Sequence, residues 1–455
     1  MTKTKTPIET ELQGGPIDEQ PLYDAIDIAL HEAKQLGADQ AEANASAGQG
    51  LGVSVRLGEM ETIEHTRDRG LVVSVYFDGK NGAASTSDYS KNAVLEAVRS
   101  ACSIASLTES DPANGLPDEH RLATEFPDLD SWHPISMSVT EMTEEAVRCE
   151  DAARAVDSKI VNSEGASVSS DCGIDLLGNS FGFRGLTRRT RYSTSCAVIG
   201  QTESGMQRDY WYHATRNKQD LQSAEQIGKC AGERTVRRLD ARRLATGKYP
   251  VLFEAPVASG LLSHLIQAIS GGALYRKSSF LLDHAGKQIF PEFVRIHERP
   301  FMRRGMGSSA FDNEGVATVE RDIVTDGVLQ GYVLSSYSSR RLGLETTGNA
   351  GGVHNLTIES GSNNLDQLLG VMRTGLLVTE LAGFGINMVT GDYSRGASGF
   401  WVENGEIQFP VEELTIAGNL ADMFRNISAV GSDIDLRGNY QSGSILISEM
   451  TIAGE

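Results

Sequence analysis

The chain has 455 residues, more than one compact core organises, so two or three domains are expected. With 40% hydrophobic and 22% charged residues it has ordinary globular composition. A formal net charge of −20, from 41 Lys and Arg against 61 Asp and Glu, repels phosphate backbones and argues against direct nucleic-acid binding.

Segment 1–20 reads as a disordered, polar tail without the apolar stretch of a signal peptide. From Pro21 onward Leu22, Ala25, Ile26, Ala29 and Ala33 recur at helical spacing, and Gly37 follows as a stop. Alternation then takes over: Val53, Val55 and Leu57 share one strand face, and residues 71–77 make a second strand. The turn 78–82 (Asp-Gly-Lys-Asn-Gly) leads into a third strand. Val94, Leu95, Val98 and Cys102 mark a helix that completes a small α+β domain over 21–110.

Segment 111–134, with its Pro and Asp, reads as a linker. Ser138 and Glu141 match a capping box that opens a helix. Strands with turns at Gly178 and Gly182, then a charged helix, complete a middle α+β domain over 135–244. The remainder, 245–455, is Gly-rich and reads as a large, mostly antiparallel β-rich domain with one long helix over 258–272. The expected class is therefore α+β in three domains. Two basic clusters, Arg188, Arg189 and Arg191, then Arg234, Arg237, Arg238, Arg242 and Arg243, read as solvated faces, with an acidic partner as the functional alternative.

Five cysteines without CxxC spacing argue against a disulfide framework or zinc ribbon. No stretch reaches 18 uninterrupted apolar residues, so a cytoplasmic protein without membrane contact is expected. None of the nine histidines sits at i, i+4 from another, so spacing offers no local start for a zinc site. The Gly-rich stretch 391–399 reads as a loop whose Asp392, Tyr393, Ser394 and Arg395 line a cleft, or else as a turn in which Asp392 and Arg395 pair. Ser394, His354 and Asp392 also allow a hydrolytic triad to be drawn from composition alone.

The segment 258–280 carries His264 on an apolar stretch and resembles the active-site helix of the TldD/PmbA metalloprotease family. Further segments place the resemblance in the PmbA/TldE branch: 275–283 (Tyr-Arg-Lys-Ser-Ser-Phe-Leu-Leu-Asp), 311–315, 336–343, 390–406 and 414–419. It runs from about residue 25 to the C-terminus, through motifs too long for chance matching.

In the zinc-bearing TldD branch the helix holds His-Glu-x-x-x-His, with the Glu as general base, and a cysteine near the C-terminus is the third ligand. In one register Ser263, His264 and Ala268 occupy those helix positions; in the other, His264, Leu265 and Ile269 do. Ser442 is the counterpart of the cysteine, and the last cysteine in this chain is Cys230. The resemblance thus implies a vestigial site at Ser263, His264, Ala268 and Ser442, with no catalytic residue, metal ligand or cofactor in this chain. Zinc is expected in a TldD-type partner. It further implies a heterodimeric peptidase acting on unfolded or small peptides, such as a microcin precursor or an antitoxin, with a homodimer forming when the partner is absent. The alternatives are a metalloprotease active in its own right and a protein adaptor of the gyrase-modulator kind.

Overall fold

The computed structural model describes residues 17–454, and most of the expected N-terminal tail lies outside the described residues. Of that tail, residues 17–19 lead directly into the first helix, which Gln20 opens. The chain divides into two units, one built from residues up to 114 and 130–239, the other from 115–129 and 240 onward.

The first unit contains α1 (Gln20–Gln35), β1 (Gln40–Arg56), β2 (Glu59–Phe77), β3 (Lys80–Thr86), α2 (Lys91–Leu107), α3 (Val139–Arg154), β4 (Ile160–Asn179), β5 (Arg184–Thr202), β6 (Gly205–Thr215) and α4 (Ala224–Arg237). The two segments expected as separate domains share one six-stranded sheet in the order β3-β2-β1-β4-β5-β6. β1 pairs antiparallel with both β2 and β4, so strands far apart in sequence meet. Inward residues of β1 explain this join. Ala41, Ala43 and Ala45 pack beneath α1 and α2 with Leu71, Val73 and Val75 of β2. Further along the same strand, Leu51, Val53 and Val55 pack with Met142, Ala146 and Cys149 of α3 and Ile227 and Ala231 of α4. Apolar residues on alternate positions thus bury one face along the length of the strand.

The capping box at Ser138 and Glu141 is formed, and a second one at Ser223 and Gln226 opens α4. Helices α3 and α4 touch through Gly228, where a Cβ would run into the Cys149 carbonyl oxygen, so only glycine allows the approach. Buried Glu150 accepts the backbone N–H groups of Leu57 (2.9 Å) and Gly58 (2.7 Å), tying the β1–β2 turn to α3.

The second unit contains β7 (Gly247–Phe253), α5 (Ala255–Ala268), α6 (Gly271–Tyr275), β8 (Ile296–Glu298), β9 (Arg321–Thr325), β10 (Val328–Leu329), α7 (Ser336–Leu342), β11 (Leu356–Ile358), α8 (Leu365–Met372), β12 (Gly375–Ala382), β13 (Asp392–Glu403), β14 (Glu406–Asn419), α9 (Leu420–Arg425), β15 (Ile427–Val430), β16 (Tyr440–Gln441) and β17 (Ile445–Ala453). One sheet runs β14-β13-β12-β7-β17-β15, and an added β14–β17 pairing closes its first five strands into a ring. The pairing is antiparallel apart from β12 with β7. A second sheet runs β10-β9-β8-β11-β16. The core between them gathers Val251 and Phe253 of β7, Leu261, Leu262 and Leu265 of α5, and Ile296, Val324 and Leu356 of the second sheet.

Two expectations need correction here. Part of the expected linker belongs to this second unit as a fixed strap. Ala123 N–H donates to the Gly315 carbonyl (2.9 Å), Ala317 N–H to the Arg121 carbonyl (2.9 Å), and Phe126 meets Phe311 edge-on. The expected helix over 258–272 instead spans Ala255–Ala268 and stops, because Ser270 bridges to Val333 before α6 begins. The basic clusters are largely paired within the chain: Arg188 with Glu19, Arg189 with Asp175, Arg238 with Asp209 and Arg243 with Glu413. That pairing favours the reading as structural faces.

Candidate functional site

The region around α5 is assembled from three stretches of the second unit. The helix enters with Pro256 in its first turn, and its N-cap residue Glu254 makes no side-chain cap. Ser444 supplies the missing acceptor: its Oγ takes the Ala255 N–H (3.1 Å) and donates to Asp433 (2.6 Å). Ser444 thus ties the segment 440–444 to the start of α5. Ser442 itself is fully buried, and its hydroxyl donates to the Gly443 carbonyl at 2.7 Å. Ser263 sits half-buried on the helix, accepts from the Gln267 amide (3.2 Å), and lies beside the Tyr440 phenol. Ala268 is fully buried in the core.

The stretch 391–399, expected as a loop, is not one. Only Gly391 has a left-handed backbone (φ +83°); from Asp392 onward the chain is strand β13 between β12 and β14. The strand's alternation separates the four candidates. Tyr393 is buried and Arg395 half-buried, whereas Asp392 and Ser394 between them are exposed. Asp392 is held by Thr390 (2.7 Å) and Asn419 (3.3 Å), so it does not form the expected turn pair with Arg395. Nor does the drawn triad assemble, because His354 Nδ1 is engaged by Glu298 (3.1 Å) and Asp392 by its own neighbours.

His264, Tyr393 and Arg395 do come together. The His264 and Tyr393 rings meet edge-on with centroids 6.1 Å apart. Burial, reinforced by the Arg395 guanidinium, pulls the His264 pKa down to about 4, so the imidazole is neutral near pH 7. Burial pushes the Tyr393 phenol up to about 12, although Arg395 pulls the other way, so it stays protonated.

This donor set does not suit zinc. A catalytic zinc rests on three protein ligands, whereas α5 offers His264 with Ser263 and Ala268. Among the described residues no group of three His, Cys, Asp or Glu side chains lies close enough to hold a metal. A guanidinium beside the imidazole also opposes a dication electrostatically. All five cysteines are free thiols, and none lies in the second unit.

The depressed His264 pKa makes stability depend on pH. The unfolded imidazole titrates near 6.5 and the folded one near 4. Between those values the unfolded chain binds a proton that the folded chain refuses, so this contribution is intact above about pH 6.5 and lost as pH falls toward 4. Denaturant midpoints at pH 7 and pH 5 should therefore fall further for the native sequence than for His264→Leu. Equal falls in the two proteins would contradict the assignment.

Sequence reading missed a buried polar network elsewhere in the second unit. Glu298, at 2% exposure, accepts from Arg321 (2.8 Å), the Asn349 amide (2.7 Å) and the His354 backbone N–H (2.8 Å). Burial alone would raise its pKa, but the His354 hydrogen bond and the Arg321 charge outweigh burial and hold it below the usual value. A separate cavity of about 580 Å³ lies in the first unit, lined by Asp27, His31, Lys34 and Arg184, and there Arg184 is paired with Asp27 (2.8 Å).

Family models match as PmbA/TldA metallopeptidase domain 1 over 41–105, central domain over 132–239 and C-terminal domain over 246–454. The chain is 48% identical to Metalloprotease PmbA of Escherichia coli O157:H7, covering 95% of this chain and 96% of that protein. It is 47% identical to the Haemophilus influenzae Metalloprotease PmbA homolog, covering 96% and 97%. A crystal structure from Bacteroides thetaiotaomicron, described as a proposed modulator of DNA gyrase, superposes with a TM-score of 0.90 at 28% identity, over 96% of this chain and all of the other. TldE from Thermococcus kodakarensis shares the fold, with a TM-score of 0.82 at 22% identity over 94% of this chain and all of that one. From its first strand to its last, the chain belongs to the PmbA/TldA metallopeptidase family.

Proposed function

We propose that this chain is the non-catalytic, PmbA/TldE-type subunit of a cytoplasmic zinc peptidase, paired with a TldD-type subunit that carries the zinc. The observation that carries this reading is the content of α5. One neutral imidazole remains, a cationic guanidinium stands beside it, and no carboxylate occupies the general-base position in either register. A peptidase of this class needs a metal-bound water and a base to take its proton. Those parts would come from the partner, and this subunit would shape the path for unfolded or small peptides, microcin precursors and antitoxins among them. Family membership supports the partnership, as does the TldE fold. Without the partner, the chain would use the same surface to form a homodimer.

A specific complex should bury more than about 1,000 Å² in total. Mixing the chain with a zinc-bearing TldD-type subunit and measuring mass by sedimentation should therefore give a one-to-one complex that persists at micromolar concentration. Separate sedimentation of the two proteins would contradict the proposal.

A further inference from the structure

The cluster at α5 does not suit a metal, yet it is not an inert core. Three buried polar atoms there, His264 Nδ1, Tyr393 Oη and Arg395 Nε, have no hydrogen-bond partner at normal distance and angle among the described residues, and the Tyr393 phenol lies against the Arg395 guanidinium. Native interiors rarely leave such atoms unmatched, and here three belong to side chains that adjoin one another. The guanidinium also has no carboxylate partner among the described residues. A water molecule can satisfy a hydrogen bond but supplies no counter-charge. What the cluster calls for is a small acceptor with one negative charge.

We propose that His264, Tyr393 and Arg395 form a binding site for a carboxylate, and that its ligand is the C-terminal carboxylate of a peptide. The Arg395 Nε–H and the Tyr393 O–H donate to the two oxygens, and the neutral imidazole donates a third bond in its Nδ1–H tautomer. One guanidinium, one phenol and one neutral ring match the single charge of a carboxylate better than the double charge of a phosphate. Ser263 on the next helix position is half-buried and Gln267 one turn on is exposed, so polar groups flank the cluster where a peptide backbone would continue. The choice of a peptide rests on the proposed role as a peptidase subunit, whereas the choice of a carboxylate rests on the cluster alone.

The test is direct binding to the isolated chain, with the His264 ring signals followed by NMR. The probes are acetate, N-acetyl-alanyl-alanine and the C-terminal amide of the same dipeptide. The acid should shift the His264 signals and saturate in the millimolar range. The amide should not, and acetate should bind more weakly than the acid. Arg395→Met should weaken the acid by roughly ten- to a hundredfold, the usual loss for a hydrogen bond to a charged group. Tyr393→Phe removes one oxygen and should weaken it several-fold, which keeps the test valid if Arg395→Met does not fold. Equal binding of acid and amide, no shift with acid at tens of millimolar, or unchanged affinity in both variants would overturn the site. Binding of acetate without the acid would overturn the peptide assignment. None of these outcomes bears on complex formation or peptide cleavage, so the binding site and the subunit role fail separately.

Discussion

Replacing Glu298 by alanine is expected to destabilise the second unit by about 3–5 kcal/mol, the usual cost of removing one partner from a buried ion pair. The carboxylate is 2% exposed, and Arg321, whose side chain is 19% exposed, lies 2.8 Å away. Arg321 also donates to the Asn349 side chain (2.7 Å) and the Tyr332 carbonyl (3.0 Å), so it cannot swing out to water without breaking those bonds. Removing Glu298 would leave a guanidinium, an amide and the His354 N–H facing an empty position. Glu298→Gln keeps an acceptor and should cost less. Because the folded pKa is held below its usual value, this stabilisation is present above the unfolded pKa and is lost as pH falls through the folded one. Urea unfolding at pH 7 measures the difference, and a loss below about 1 kcal/mol, the level of an exposed pair, would contradict the network.

A second large effect is expected in catalysis. The isolated chain should show no peptide cleavage above background. Addition of a zinc-bearing TldD-type subunit should raise the rate by roughly a hundredfold or more, since a positioned general base alone contributes that much. Replacing the Glu base in the partner should abolish the gain, as should a chelator that strips its zinc. Comparable cleavage by this chain alone and by the mixture would mean that the active site has been misplaced.

Much of this fold was legible in the sequence where the signal is local. Leu22, Ala25, Ile26, Ala29 and Ala33 mark α1 by their spacing, and all are buried there. Ser138 and Glu141 mark the start of α3 because a capping box is written in four residues. The pairing of β1 with β4 was not legible, since those strands are separated by two helices and no local pattern records which edges meet. The stretch 391–399 was misread for a physical reason. Its glycines suggested a loop, yet Gly399 lies in a strand where a Cβ would meet the Leu377 carbonyl of β12. Glycine there serves close approach between strands rather than a turn.

The candidate site divides in the same way. The identities Ser263, His264, Ala268 and Ser442, and the lack of cysteine beyond Cys230, could be read directly from the sequence. The neighbours of His264 could not, because Tyr393 and Arg395 approach it from a strand more than a hundred residues away in sequence. Glu298 was equally hidden, with its partners at 321, 349 and 354 on separate segments.

The central claim is that this chain holds no catalytic zinc of its own, and metal content tests it most directly. The isolated protein, purified without chelator and dialysed against buffer with micromolar zinc, should carry far less than one zinc per chain by elemental analysis. A single imidazole beside a guanidinium does not retain the ion. One zinc per chain, lost in His264→Ala together with peptidase activity, would contradict the account.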